Sequence, residues 1–333
     1  MTPFPAVSLI LLGVVVAAPV AEAAPARVDL PATVEVERFR MQSNPWVNLH
    51  ERLLYDAALG APDPAGLTTE ETAAWTAAVD AYRAWAKKRS PVFDAELIAV
   101  SQALSGTRGR KLPDTIPEAA RKVLAGAMPL YEKEQWPKDD TANRFWISVA
   151  QPLLKGCAGE LVAAHEKAYG VPFTKRALVD ASPFAGEFGG YTVGDAASVH
   201  TVISSTEPGY AGFAALEMLM HEASHGIVAP DAGAIGADLA RAAAETGRKP
   251  ARNLWHALLF YTSGELTRRA LAARGVAEYR MAIEGRLFDG PFKGFREPFE
   301  THWSAWLDGA LTRDEAIRRI VIATSPSGRE GGS

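Results

Sequence analysis

Apolar residues recur along most of the chain at the spacing of helix faces. Trp75, Val79, Tyr82 and Ala86 follow one another at intervals of three or four residues, which places them on one side of a helix. The segment Thr68-Thr69-Glu70-Glu71 precedes this stripe and is typical of a capping box at a helix start. Further helices are predicted at residues 47–59, 92–104, 118–135, 142–169, 211–226, 232–246, 251–273, 298–307 and 313–322.

The periodicity changes after Gly170, where short runs rich in β-branched and aromatic residues are separated by Gly and Ser. These runs are at residues 178–180, 189–193 and 198–204. We therefore expect a mainly α fold with a small antiparallel β-sheet, of the α+β class. The expected parts are an N-terminal helical region at 24–169, a second region at 170–324 that holds the sheet, and a flexible Ser/Gly-rich tail at 325–333.

The amino-terminal segment is apolar and carries no charged side chain in its first twenty residues. Ala21 and Ala23 supply the small residues that a signal peptidase reads. The alternative is a membrane anchor, but the apolar run at 6–21 contains Pro19 and is shorter than the roughly 20 residues of a bilayer span. We expect residues 1–23 to be a cleaved signal peptide, and the mature protein to be secreted or periplasmic without membrane contact.

Composition narrows the classes of function. The 333 residues include 35 Lys and Arg against 39 Asp and Glu, which gives a net charge of -4. This charge provides no basic surface for a phosphate backbone, so nucleic-acid binding is disfavoured. Cys157 is the single cysteine of the sequence, which excludes an intramolecular disulfide and a cysteine-type zinc knuckle.

The segment His221-Glu222-Ala223-Ser224-His225 is the most informative motif of the chain. It lies in a predicted helix, where two histidines about one turn apart project from the same face and can bind one metal ion. Glu222 is rotated by roughly 100° from His221 and can act as a base for a water molecule without being a ligand. A chance occurrence is the alternative, but two histidines in a buried helix need a compensating charge, which Zn²⁺ supplies.

This motif resembles the active-site helix of the zincin superfamily of metallopeptidases. In zincins a short sheet precedes that helix, and the edge strand of the sheet holds the substrate in extended form. The strand-like residues 191–204 stand just before the motif here. The resemblance implies a zincin-like helix packed between helical regions, a zinc cofactor and a peptide or protein substrate.

A catalytic zinc needs a third protein ligand, for which we favour Glu265. In the gluzincin branch of zincins this ligand is a glutamate on a following helix. Leu254, Leu258, Tyr261 and Glu265 are spaced by four, three and four residues, so the carboxylate emerges from an apolar stripe and needs a counter-ion. The alternative is a salt bridge to Arg268 or Arg269 on the same helix.

Two other residues remain candidates for the third ligand. His256 would give a three-histidine site, but it precedes Glu265 by nine residues, which is half a rotation of a helix, so the two side chains should not face one metal. Asp231 lies six residues past His225, where the metzincin branch has its ligand, although Val228 stands where metzincins have a glycine.

Tyr261 shares the predicted face of Glu265 and could donate a hydrogen bond to the oxyanion that develops during attack; the alternative is a tyrosine that only packs. Together these patterns predict a secreted zinc metallohydrolase, most simply a peptidase, with its cleft between the N-terminal and C-terminal helices. The alternatives are a metal-dependent amidase or deacylase with a non-peptide substrate, and a non-catalytic exported binding module with a structural zinc. The sequence leaves the oligomeric state open.

Overall fold

The computed structural model describes residues 30–60, 64–187, 189–194, 198–228, 233–281 and 287–325. The predicted signal peptide at 1–23, the tail beyond Ser325, and Asp231 lie outside the described residues.

Helices dominate the fold, as the periodicity predicts. Their bounds are α1 (Pro45–Leu59), α2 (Thr69–Ala86), α3 (Ala95–Ser105), α4 (Glu118–Glu134), α5 (Trp136–Tyr169), α6 (Phe213–Ser224), α7 (Ala234–Thr246), α8 (Leu254–Ala272), α9 (Arg296–Pro298), α10 (Ser304–Leu307) and α11 (Arg313–Thr324). A π-helical turn, Phe299–Trp303, joins α9 to α10. Among the described residues, no helix is both long enough and apolar enough to cross a bilayer.

Local capping confirms the predicted start of α2. The Thr68 hydroxyl accepts a hydrogen bond from the Glu71 amide, and the Glu71 carboxylate accepts one from the Thr68 amide. These contacts satisfy backbone donors that the first helical turn leaves unpaired. At α11 the Thr312 hydroxyl accepts a hydrogen bond from the Glu315 amide in the same way.

The sheet is mixed, which corrects the expectation of an antiparallel sheet. Its strands are β1 (Thr33–Val36), β2 (Phe39–Gln42), β3 (Arg176–Ser182), β4 (Gly190–Gly194) and β5 (Ser198–Ser204). The spatial order is β1-β2-β3-β5-β4. The outer pairs β1/β2 and β4/β5 are antiparallel, whereas β2/β3 and β3/β5 are parallel. The predicted runs correspond to β3, β4 and β5, and β2 from the amino-terminal segment pairs in parallel with β3.

Two hydrophobic cores lie on opposite faces of the sheet. On one face, Val179 of β3 and Ile203 of β5 pack into a core with α5, α6 and α8. On the other face, Tyr191 of β4 and Val202 of β5 join a core built from α1 to α4. Strand side chains alternate between the two faces, so a single strand contributes to both cores.

Helix α6, which carries the histidine motif, lies in the first of these cores. It contacts α5 and α8 on its helical sides and β4 and β5 on its sheet side. Every residue from Ala215 to Ser224 is buried. The motif therefore lies between two helices and the edge strand β4, where a buried charge or bare ring nitrogen needs a partner.

Candidate metal centre

Three histidines converge between α6 and α8. His221 lies in the last turn of α6, His225 directly follows that helix, and His256 lies in the first turn of α8. One nitrogen from each ring lies within 4.8 Å of the other two. The ring centroids are 5.0 Å apart for His221 and His225, 5.3 Å for His221 and His256, and 5.2 Å for His225 and His256. The rings thus form a nearly equilateral triangle around one point.

The chemistry of these rings fits zinc. His221 Nδ1 and His256 Nε2 are buried and have no hydrogen-bond partner among the described residues. A buried polar atom left in this state costs about 1–3 kcal/mol, and a metal ion would supply the missing partner. Imidazole nitrogen is a preferred ligand of zinc, and three protein ligands are the number found in catalytic sites.

The protonation state of the three rings also suits metal binding. Burial lowers the pKa of His221 well below its ordinary value, and the neighbouring histidines lower it further. Burial lowers the pKa of His225 to about 3, with a further contribution from His256. Burial alone lowers the pKa of His256 to about 4. All three are therefore neutral near pH 7, and neutral imidazole is the form that binds a metal.

An aromatic shell holds the rings in place. Phe260 stacks on His221 with a centroid separation of 3.7 Å. Trp255 stacks on His256 at 4.9 Å and meets His225 edge-on at 5.9 Å. Trp255 and Phe260 are only half-buried, so part of the apolar surface beside the histidines is exposed.

Glu222 is buried beside this group and is held by the sheet. Its Oε2 accepts a hydrogen bond of 2.6 Å from the Thr192 hydroxyl of β4. Burial raises the pKa of Glu222 to about 7, and the hydrogen bond from Thr192 opposes the rise. A carboxyl group with a pKa near neutrality can accept and release a proton at physiological pH, which is the requirement for a general base.

Glu265, the predicted third ligand, does not lie with the three histidines. Its carboxylate accepts two hydrogen bonds of 2.7 Å from Arg268 and one of 2.7 Å from Arg269. Among the described residues, the candidate metal-binding group contains the three histidines and no oxygen of Glu265. The structure thus brings His256, and not Glu265, to the other two histidines, and the half-rotation between these two side chains explains why both cannot face one ion.

Tyr261 also faces away from the histidines. Its hydroxyl is 2.8 Å from the Ser304 hydroxyl, and burial raises the pKa of Tyr261 to about 12. Together with Glu265, Arg268 and Arg269 it lines a separate cavity of about 440 Å³. Tyr261 therefore shares a face with Glu265, as the sequence predicts, but this geometry does not support the expected role at the oxyanion.

Sequence reasoning missed the groups that surround Glu222. Thr192 contacts the carboxylate, and a Cβ atom added at Gly190 would lie 3.3 Å from Glu222 Oε1 and 3.1 Å from the Tyr210 ring. A signal for Thr192 was present, since it is the polar residue between Tyr191 and Val193 on a strand whose side chains alternate. Nothing local marks Gly190 or Tyr210 as neighbours of the motif.

Comparisons with protein-family models, with curated proteins and with solved structures give no match for this chain.

Proposed function

We propose that the protein is an exported zinc-dependent hydrolase that cleaves peptide bonds. The observation that supports this most directly is the convergence of three neutral imidazoles, one buried and two partly buried, beside a buried glutamate. His221, His225 and His256 would hold the ion. Bound there, zinc would polarise the scissile carbonyl and lower the pKa of a water molecule toward neutrality.

Glu222 has the position and the proton affinity of the general base. It takes a proton from the attacking water and passes that proton to the amine that leaves. Thr192 donates to one carboxylate oxygen, Oε2, and the water would approach the other, Oε1. Because the side chain is buried, its charge interacts with the reacting groups in a medium of low dielectric.

The edge strand β4 favours a peptide over a non-peptide substrate. β4 is the last strand in the sheet order and pairs with β5 along one side. An extended peptide can add to the other side of such a strand through main-chain hydrogen bonds. Thr192 of β4 contacts Glu222, so a peptide placed along this edge would pass the proposed base. A non-peptide amide would not use these contacts.

Three histidines favour catalysis over a structural zinc. A structural zinc site is closed by four protein ligands, whereas a catalytic site keeps one position for water. The group found among the described residues has three members.

The test compares wild-type protein with Glu222→Gln, both purified as mature protein and loaded with zinc. We expect wild-type protein to hydrolyse members of a peptide library, followed by mass spectrometry. Glu222→Gln should keep stoichiometric zinc while its turnover falls by roughly 10²–10⁴-fold, because general-base assistance is lost. Zinc binding without turnover in wild-type protein would favour the binding module, and cleavage confined to non-peptide amides would favour the amidase.

A further inference from the structure

The hydroxyl groups of β4 and β5 form a chain that ends at the proposed base. Thr192 and Thr201 are directly opposite each other in the antiparallel pairing of these strands, and their hydroxyl oxygens are 2.7 Å apart. Thr192 Oγ1 is also 2.6 Å from Glu222 Oε2. Thr201 is buried and Thr192 is partly buried, so water competes little for these contacts.

The number of available protons determines which group donates in each of these hydrogen bonds. A hydroxyl group has one proton to donate, and an ionised carboxylate can only accept. Thr192 must therefore donate to Glu222, and it accepts its second hydrogen bond from Thr201. The arrangement fixes the rotamer of Thr192 and leaves the Glu222 carboxylate with a defined orientation, in which Oε2 faces the strand.

The same strand is held from its other face by the N-terminal helices. Tyr191, the residue before Thr192, donates a hydrogen bond from its hydroxyl to Glu51 of α1. Glu51 is 1% exposed and Tyr191 is 6% exposed, and Tyr191 packs in the core of α1 to α4. Consecutive strand residues point to opposite faces, so β4 is attached to α1 on one side and to Glu222 on the other.

We propose that Thr192 is a positioning residue for Glu222. We propose further that α1 fixes the position of β4 through the hydrogen bond between Tyr191 and Glu51. This inference depends on the proposed hydrolase function. The N-terminal helices then contribute to the reaction indirectly, because they hold the strand whose Thr192 orients Glu222. The side chains of Thr192 and Glu51 act through Glu222 and β4 and take no part in the bond-making steps.

The test measures kcat, KM and zinc content in zinc-loaded variants of the full mature chain. Thr192→Val removes the hydroxyl and keeps the β-branched shape, whereas Thr192→Ser keeps the hydroxyl. Tyr191→Phe removes the hydroxyl that donates to Glu51 and keeps the ring in its core. The matched control is Thr33→Val, the same substitution on an exposed residue of β1 at the opposite edge of the sheet.

We expect Thr192→Val to lower kcat by about 10- to 100-fold, the range seen when an outer-shell partner is removed. KM should stay within about twofold of wild type and zinc should stay stoichiometric, while Thr192→Ser and Thr33→Val keep most of the activity. Tyr191→Phe should lower kcat less. Its effect should be absent from the Tyr191→Phe/Thr192→Val double variant, because both changes act through one contact.

Several results would overturn the inference. Wild-type kcat in Thr192→Val would exclude Thr192 and leave the proposed function standing, whereas a zinc-loaded wild-type protein without turnover would remove both. Equal losses in Thr192→Ser and Thr192→Val, or a loss of zinc in Thr192→Val, would indicate a packing role. Additive effects in the double variant would exclude the connection to α1.

Discussion

The two faces of α8 carry buried ionisable groups that are stabilised in opposite ways. On one face, Glu265 has two arginines of its own helix, which lie three and four residues further along the chain. On the other face, His256 has a buried Nε2 without a hydrogen-bond partner among the described residues. Glu265 is paired within its own helix, whereas His256 meets two more histidines and has no such ion pair among the described residues.

This difference is a guide to which buried polar groups are functional. Burying a carboxylate in an apolar stripe costs free energy, but arginines three and four residues further along the same helix compensate this cost by ion pairing. Burial raises the pKa of Glu265, and the hydrogen bonds and charges of Arg268 and Arg269 outweigh it, so that its pKa lies below the ordinary value. An unpartnered imidazole next to other imidazoles has no such local remedy.

The largest expected difference between the two faces of α8 is in the zinc content of their variants. His256→Ala should weaken zinc binding by at least roughly 100-fold, because loss of a direct ligand must exceed the 10- to 100-fold loss caused by outer-shell changes. Glu265→Gln, at the other face of the same helix, should keep stoichiometric zinc. Metal analysis after dialysis against a weak chelator provides the measurement. Full zinc in His256→Ala together with loss in Glu265→Gln would reverse our assignment.

A third buried ionisable group, Glu51, extends the comparison, because its hydrogen-bond partner is a neutral tyrosine. Burial raises the pKa of Glu51 to about 8, the hydrogen bond from Tyr191 opposes the rise, and Asp180 adds to it. Between pH 4.5 and pH 8 the folded state then keeps a proton that the unfolded state has lost. The free energy of unfolding should fall with rising pH in this window, by up to about 1.4 kcal/mol per pH unit.

Glu51→Gln should make that fall shallower, since glutamine keeps a neutral side chain of the same shape. Urea unfolding of both proteins at several pH values between 5 and 9 measures the slopes. Identical slopes would mean that Glu51 is ionised in the folded protein despite its burial.

The ion pairs of Glu265 should give a smaller effect with the opposite pH dependence. Because the folded-state pKa is lowered, the stabilisation is present above the ordinary pKa and is lost as the pH falls through the folded-state value. Glu265→Gln should cost roughly 1–2 kcal/mol at pH 7, less than a fully buried pair because the side chains of Arg268 and Arg269 are 41% and 31% exposed and water screens the pairs. Thermal unfolding should show the difference shrinking toward pH 3, and a constant difference would exclude the ionic explanation.

The elements of the fold were predictable where the signal is local. Helical periodicity gave α8 within three residues at its start, and the Thr68 capping box fixed the start of α2. The pairing of β2 with β3 was not predictable, because residues 39–42 carry no pattern that identifies partners at 177–180. Strand pairing at such separation is decided by the packing of both faces of the sheet.

The same distinction applies to the site. His221, Glu222 and His225 belong to one segment, and their spacing alone indicated a metal. The third histidine comes from another helix, and the sequence placed Glu265 and His256 on opposite faces without showing which face meets α6. The structure turns the His256 face toward α6 and pairs Glu265 with Arg268 and Arg269, a pairing that the sequence offered only as an alternative.

The parallel pairing of β2 with β3 has a consequence for any attempt to isolate the histidine-bearing half. A chain shortened to residues 170–324 would lose β2 and expose one long side of β3, with its amide and carbonyl groups bare. It would also lose the hydrogen bond of 3.0 Å from the Asn48 side chain to the Ala181 carbonyl. Uncovered strand edges promote self-association, so such a fragment should aggregate.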